Sequence, residues 1–237
     1  MKKYFVVVAA MSLALLLGCA PKEAAYKSKV PVEKSVTARP LEPRLDIPLE
    51  INLDVPFFPQ APDGDWSLPW QEACEEASAI LAVSFAKGDR PAKDAFRKEI
   101  LDLVEWEKVN FGAYEHTNVV QTDRMIGSAL DYKSTRVIEN PTVDELKRTL
   151  AVGHPIVAPF AGRLLKNPFY KGEGPYYHML VIRGYDEKNF ITNDVGTKRG
   201  ENFIFPYETI MQAIHDWDPE DILKGGKRVI EIIPEGK

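Results

Sequence analysis

Cys74 is the residue best placed for covalent chemistry. It lies in Gln71-Glu72-Ala73-Cys74-Glu75-Glu76-Ala77, at or near the start of an expected helix. Unpaired N–H groups and the helix dipole favour an anion there, which lowers a thiol pKa. Glu72, Glu75 and Glu76 oppose this by like-charge repulsion unless they point into solvent. The competing reading is an inert core cysteine between the apolar neighbours Ala73 and Ala77. A nucleophilic thiol also needs a base. Among His116, His154, His178 and His215, only His178 has an evident partner. It stands early in an expected strand over 176–184, followed by a short turn and a second strand over 190–195. The midpoint of positions 178 and 194 falls in that turn. Hairpin geometry therefore puts Asp194 opposite His178, to within about two residues of register. The carboxylate would fix the imidazole tautomer and leave the other ring nitrogen for the thiol. Asn193 is the near miss, because a one-residue slip exchanges the faces.

The remaining histidines carry less. His154 precedes Pro155 in a helix-to-strand turn, His215 is expected late in a helix, and His116 lies in a polar loop. No histidine pair has the i, i+4 spacing of a helical metal site, so no metal is expected. Acyl transfer would also need donors for an oxyanion: the Cys74 backbone N–H and a side-chain amide upstream. Gln60, which follows Val55-Pro56-Phe57-Phe58-Pro59, is the candidate; standing alone it would read as a surface glutamine.

These groups must be held by a folded scaffold, and the composition allows one. The chain has 237 residues, 45% hydrophobic and 27% charged, as in ordinary globular proteins. Its net charge of −5 and pI near 5.5 give no basic footprint for nucleic acid. Two cysteines exclude a disulfide framework and a four-cysteine zinc site. An extended segment with aromatics covers 53–58, and 61–69 is a loop. Helices are expected from about 70 to 86, with Ala73, Ala77, Ile80, Leu81 and Ser84 on one face, then from Pro91, over 118–131 and over 142–151. Thr142 and Glu145 form a capping-box pattern at the last of these. Strands follow at 155–160, 176–184, 190–195 and 202–205. A helix over 206–217 and a strand over 228–233 close the chain. Helices early and strands late favour an α+β fold with an antiparallel sheet.

The N-terminus has its own logic. Lys2 and Lys3 precede an apolar run over 4–17 that closes on Gly18-Cys19. The run is short for a membrane span. It resembles the bacterial lipoprotein signal. That resemblance implies removal of 1–18, lipidation of Cys19, and an envelope protein anchored outside the cytoplasm, at the outer membrane in a diderm cell. Removing two lysines leaves 28 Lys+Arg against 35 Asp+Glu, a net charge of −7. Residues 19–48, with five prolines, read as a tether, and 49–237 as the folded domain. With Cys19 acylated, Cys74 is the only remaining thiol.

The order of elements resembles the papain-fold cysteine peptidases, specifically relatives of the bacteriocin-processing (double-glycine leader) peptidases. The residues that carry the likeness are Val55-Pro56-Phe57-Phe58-Pro59-Gln60, Cys74 with its helix, Tyr177-His178-Met179-Leu180-Val181, the turn Gly184-Tyr185-Asp186, and Asp194 before Val195-Gly196. The likeness spans about residues 52–218. It implies a papain-like fold with N-terminal helices on an antiparallel sheet. It implies Cys74 as nucleophile, His178 as general base and acid, Asp194 as orienting residue and Gln60 as oxyanion donor, acting on a peptide or protein with no cofactor. Two features depart from the family pattern. Glu75-Glu76 replaces the usual Gly-Pro, and the stretch from Gln60 to Cys74 is long. Its loop holds Trp66 and Trp70, expected to line part of a substrate groove. Two rival readings are a cell-wall amidase or endopeptidase of the same mechanism, and an inactive peptide-binding lipoprotein.

Overall fold

The apolar runs of the second half form the centre of the fold. The computed structural model describes residues 47–235. The signal and nearly all of the tether, with Cys19, lie outside the described residues. One antiparallel sheet contains β1 (Ile51–Asn52), β2 (Thr135–Glu139), β3 (Ile156–Ala161), β4 (Tyr177–Tyr185), β5 (Asn189–Asn193), β6 (Phe203–Pro206) and β7 (Arg228–Ile232). The order across it is β2-β7-β3-β4-β5-β6, and β1 pairs the far end of β4. β3 and β4 are buried at every position, which is why their sequences are apolar on both faces rather than alternating, apart from His178 and Arg183 in β4.

Helices cover both faces. Val157, Ala161, Met179 and Val181 face α1 (Cys74–Lys87), α2 (Lys93–Phe111) and α3 (Val119–Ser128). The alternate residues Ile156, Ala158, Phe160, Leu180 and Ile182 face α4 (Val143–Ala151) and α6 (Tyr207–Ala213). The two-residue period of the strands thus builds two cores, one on each side. A single short turn of helix, α5 (Gly162–Leu165), follows β3 directly.

α1 is the central helix, and its environment differs from the expected amphipathic one. Every residue from Cys74 to Val83 is buried. Its alanines and Ser78 let neighbours approach on all sides, and Ser78 Oγ donates to the Met179 carbonyl of β4 at 3.1 Å. The helix stops at Gly88, whose φ of +75° makes the left-handed cap. Ahead of it, the chain forms a separate 3₁₀ turn over Trp70–Glu72, so the helix itself starts at Cys74. Thr142 caps α4 as expected, accepting the Glu145 N–H at 3.2 Å.

Two elements differ from expectation. β2 has no counterpart in the sequence reading. Two of its five residues, Arg136 and Glu139, are charged, and it is an edge strand paired only with β7. The helix expected over 206–217 stops at Ala213. There Ile214 bridges Phe160, the His215 N–H bonds the Pro159 carbonyl, and the Asp216 N–H bonds the Gly226 carbonyl. Tertiary backbone partners outcompete the next helical turn, so His215 is not a helix residue.

Candidate functional site

Cys74 is the first residue of α1, and Gln60 organises the approach to it. The Gln60 N–H donates to the Val195 carbonyl at 2.9 Å. Its side-chain Nε2 donates to the carbonyls of Trp70 at 2.9 Å and Gln71 at 3.0 Å. Both amide protons are therefore used in fastening the turn that leads into Cys74. Gln60 Oε1 is buried and has no hydrogen-bond partner among the described residues.

His178 lies near the start of β4, and Asp194 directly follows β5. The hairpin register pairs Val181 with Asn193, so Asp194 sits diagonally from His178 rather than directly across. A bulge between Ile182 and Gly184 brings Asp194 one residue nearer to His178 than the register at the turn would place it. The side chains still meet: His178 Nε2 is 2.8 Å from Asp194 Oδ1. Asn193 turns elsewhere, accepting from Arg183 and donating to the carbonyls of Val55 and Pro56.

Asp194 is fully buried yet richly solvated by protein. The Gly196 N–H also donates to Oδ1 at 3.0 Å, while Tyr170 O–H at 2.6 Å and Asn167 Nδ2 at 2.8 Å donate to Oδ2. Burial pushes its pKa up, but the His178 charge and the hydrogen bonds from His178, Tyr170 and Asn167 outweigh it and hold the carboxyl below its ordinary value. With Nε2–H donated to this carboxylate, the imidazole keeps Nδ1 free to accept a proton. The close packing leaves no room for a side chain behind the pair. A Cβ on Gly196 would lie 2.9 Å from His178 Cε1 and 3.1 Å from Asp194 Oδ1. Gly196→Ala is therefore expected to lower kcat/KM at least about tenfold by displacing the imidazole. Steady-state kinetics and a melting curve check this; unchanged kinetics would contradict it.

The thiol differs from the sequence expectation. Its pKa is raised well above the ordinary value, not lowered: burial is the largest cause, and the charge of Glu75 adds to it. The helix N-terminus loses because Glu75 and Glu76 do not point into solvent. They are 1% and 0% exposed. Glu75 Oε2 is 2.9 Å from Cys74 Sγ.

Cys74 and His178 open onto one cavity of about 910 Å³, which Gln60, Trp66, Glu72 and His116 also line. Trp66 thus stands at the wall of the same cavity as Cys74 and His178. Trp70 is not at the cavity wall; its half-buried ring packs against the core around α1. Three cations, Lys171, Lys198 and Arg199, stand at the same cavity. None has a carboxylate within 4 Å among the described residues. The other histidines are engaged structurally: His154 Nδ1 is 2.7 Å from Glu231, His215 Nδ1 is 3.0 Å from the Gly225 carbonyl, and His116 stacks on Trp217. No cluster of three or more metal-binding side chains exists among the described residues.

Sequence reasoning missed Tyr170 and Asn167. Both sit in a polar loop without periodicity, and nothing local marks them as partners of a residue more than twenty positions away.

The sequence profile described as the Peptidase_C39 like family matches residues 52–218. A Bacillus anthracis structure named as a C39-like peptidase superposes with a TM-score of 0.54 at 16% identity, covering 79% of this chain and 99% of that one. It shows the same α+β papain-like fold. Xylellain, a cysteine protease from Xylella fastidiosa, gives a TM-score of 0.44 at 17% identity, over 80% of this chain and 87% of its own. No curated protein matches the chain.

Proposed function

Because this cysteine peptidase belongs to the Peptidase_C39 like family, we propose that it hydrolyses peptide bonds through Cys74, His178 and Asp194. The observation that carries this reading is the fully buried His178–Asp194 pair, 2.8 Å apart, at the same cavity as a cysteine that begins a helix. His178 Nδ1 takes the thiol proton, and the sulfur attacks the peptide carbonyl carbon. The carbonyl electrons move to oxygen and return as the C–N bond breaks. The imidazolium gives its proton to the leaving amine, and a thioester remains. Water, deprotonated by His178, then releases the acid and restores the thiol. The Cys74 N–H, in the first turn of α1, has no intrahelical carbonyl and is free for the oxyanion. Gln60 serves as second donor by giving up one of its bonds to the 70–71 carbonyls. The test is turnover of a denatured protein beside purified peptidoglycan: cleavage of protein alone supports the reading, and cleavage of peptidoglycan alone overturns it in favour of a cell-wall enzyme.

The charges at the cavity support an acidic substrate segment. Lys171, Lys198 and Arg199 face it, and among the described residues Glu72 is the one acidic residue in its lining. Exposed ion pairs contribute about 0.2–1 kcal/mol each, or roughly 1.5- to 5-fold. Peptides with Asp or Glu flanking the cleaved bond are expected to show several-fold higher kcat/KM than the same peptides with Lys or Arg, and the gap should shrink as salt is raised. Equal rates would contradict it.

The proposal extends to location. The charge, apolar run and Gly18-Cys19 order of the first nineteen residues supports export, acylation of Cys19 and attachment outside the cytoplasm. Labelled fatty acid is expected to enter the wild-type protein in a bacterial host and not Cys19→Ser. Equal labelling of both would overturn the anchor.

A further inference from the structure

One carboxyl group touches the nucleophile and has no role in the hydrolytic sequence above. Glu75 Oε2 lies 2.9 Å from Cys74 Sγ, and its Oε1 accepts the Thr117 N–H at 3.1 Å. The carboxyl is thus held at both oxygens, one by backbone and one by the thiol. The groups facing it are Glu72 and Glu76 along its own segment, Glu107 from α2, Tyr177 from β4 and the Thr117 backbone. Tyr177 offers it no proton, because its hydroxyl donates to the Thr117 carbonyl at 2.9 Å. His116 sits against Glu72, 3.8 Å away. No Lys, Arg or His lies within 4 Å of Glu75 among the described residues. A carboxylate in this position accepts the thiol's hydrogen bond, and its charge opposes a second negative charge on sulfur.

We propose that Glu75 is a positioning residue that restrains Cys74, keeping the proton on sulfur and turning the S–H away from His178 in the resting enzyme. This rests on Cys74 being the nucleophile. When Glu75 takes a proton from solvent, it no longer attracts the S–H. The thiol proton then passes to His178 Nδ1, leaving thiolate and imidazolium, with no other bond made or broken. The chain thus carries its own brake one residue beyond the nucleophile. Burial and the neighbouring Glu76 both push the Glu75 pKa upward, so the brake releases at a pH where an ordinary glutamate would still be charged.

The experiment is the pH dependence of iodoacetamide alkylation at Cys74, read by peptide mass mapping on the full chain so that Cys19 is separated. Glu75→Gln removes the charge and keeps the shape. Its alkylation midpoint is expected to fall by at least about one pH unit, which raises the thiolate fraction near neutrality about tenfold. Glu76→Gln, which does not touch the thiol, should shift it much less. An unchanged midpoint in a Glu75→Gln protein that melts normally would overturn the proposal. Should Glu75→Gln fail to fold, carbon NMR of the wild type decides. The Cys74 Cβ resonance is expected to move a second time as Glu75 titrates, and a single step would overturn it. Failure of the nucleophile assignment looks different: Cys74→Ala would keep hydrolysing peptide, whatever the labelling profile.

Discussion

Cys74→Ala is expected to abolish peptide hydrolysis, and His178→Ala to lower kcat/KM by about 10⁶-fold, the scale seen when a triad loses its base. The two variants remove different atoms of one proton path, so the double variant should be no worse than Cys74→Ala alone. Neither should unfold the protein. Cys74 lines the cavity, and His178 makes its one side-chain hydrogen bond to Asp194. Asp194→Ala should behave differently. It strands the donors Tyr170, Asn167 and Gly196 in the interior as well as freeing the imidazole. It is expected to lose activity and several degrees of melting temperature together, since buried unsatisfied donors cost about 1–3 kcal/mol each. Kinetics and melting curves on the three variants check this. Full activity in His178→Ala would contradict it.

The second large effect concerns stability against pH. Glu76 and Glu107 are both 0% exposed, and their four carboxyl oxygens have no donor among the described residues. As two carboxylates they only repel. With one proton held between them, an O–H satisfies the partner oxygen. Burial is the main cause at both: with the Glu107 charge it raises Glu76 well above its ordinary value, and it raises Glu107 to about 8 against the opposing hydrogen bond from Glu76, with the charges of Glu75 and Glu115 adding. The folded state therefore binds more protons than the unfolded chain above an ordinary glutamate pKa near 4.5. The sign follows: stability from this pair is full below about 4.5 and is lost as pH rises through about 8. Asp194 acts oppositely, since its pKa is depressed; its contribution is present above the unfolded value and lost as pH falls. The melting temperature should fall between pH 5 and 9. Glu107→Gln should flatten that slope and melt roughly 5 °C higher at pH 8, taking about 2 kcal/mol for the relieved pair. A wild-type melting temperature that climbs steadily to pH 9 would contradict the shared proton.

The fold was legible where one physical signal dominates. β3, β4 and β5 were visible as apolar runs, and α4 as a Thr142 cap ahead of a periodic segment. β2 was not, because an edge strand with one buried residue, Ile138, has little apolar pattern to display. The end of α6 was set by backbone bonds to Pro159 and Gly226, which no local window contains. At the site, the midpoint of the hairpin was enough to bring Asp194 near His178, two residues off direct opposition after a bulge that narrows the offset. The orientation of Glu75 and Glu76, left open by the sequence, was not legible for a physical reason. Adjacent glutamates ordinarily mark a solvated face, but here the helix is covered on every side, including by the Thr117 backbone and α2. Local sequence therefore gave the wrong sign for the thiol pKa. The sequence also offered Gln60 as an oxyanion donor on its position alone; its two bonds to the 70–71 carbonyls are visible only in three dimensions.

The most direct test of the catalytic assignment is intact-protein mass spectrometry after rapid acid quench of the enzyme with a peptide ester substrate. The expected result is an acyl adduct that maps to Cys74, is absent in Cys74→Ala and accumulates far more slowly in His178→Ala. Substrate cleavage with no adduct on Cys74, or an adduct that forms equally fast without His178, would contradict it.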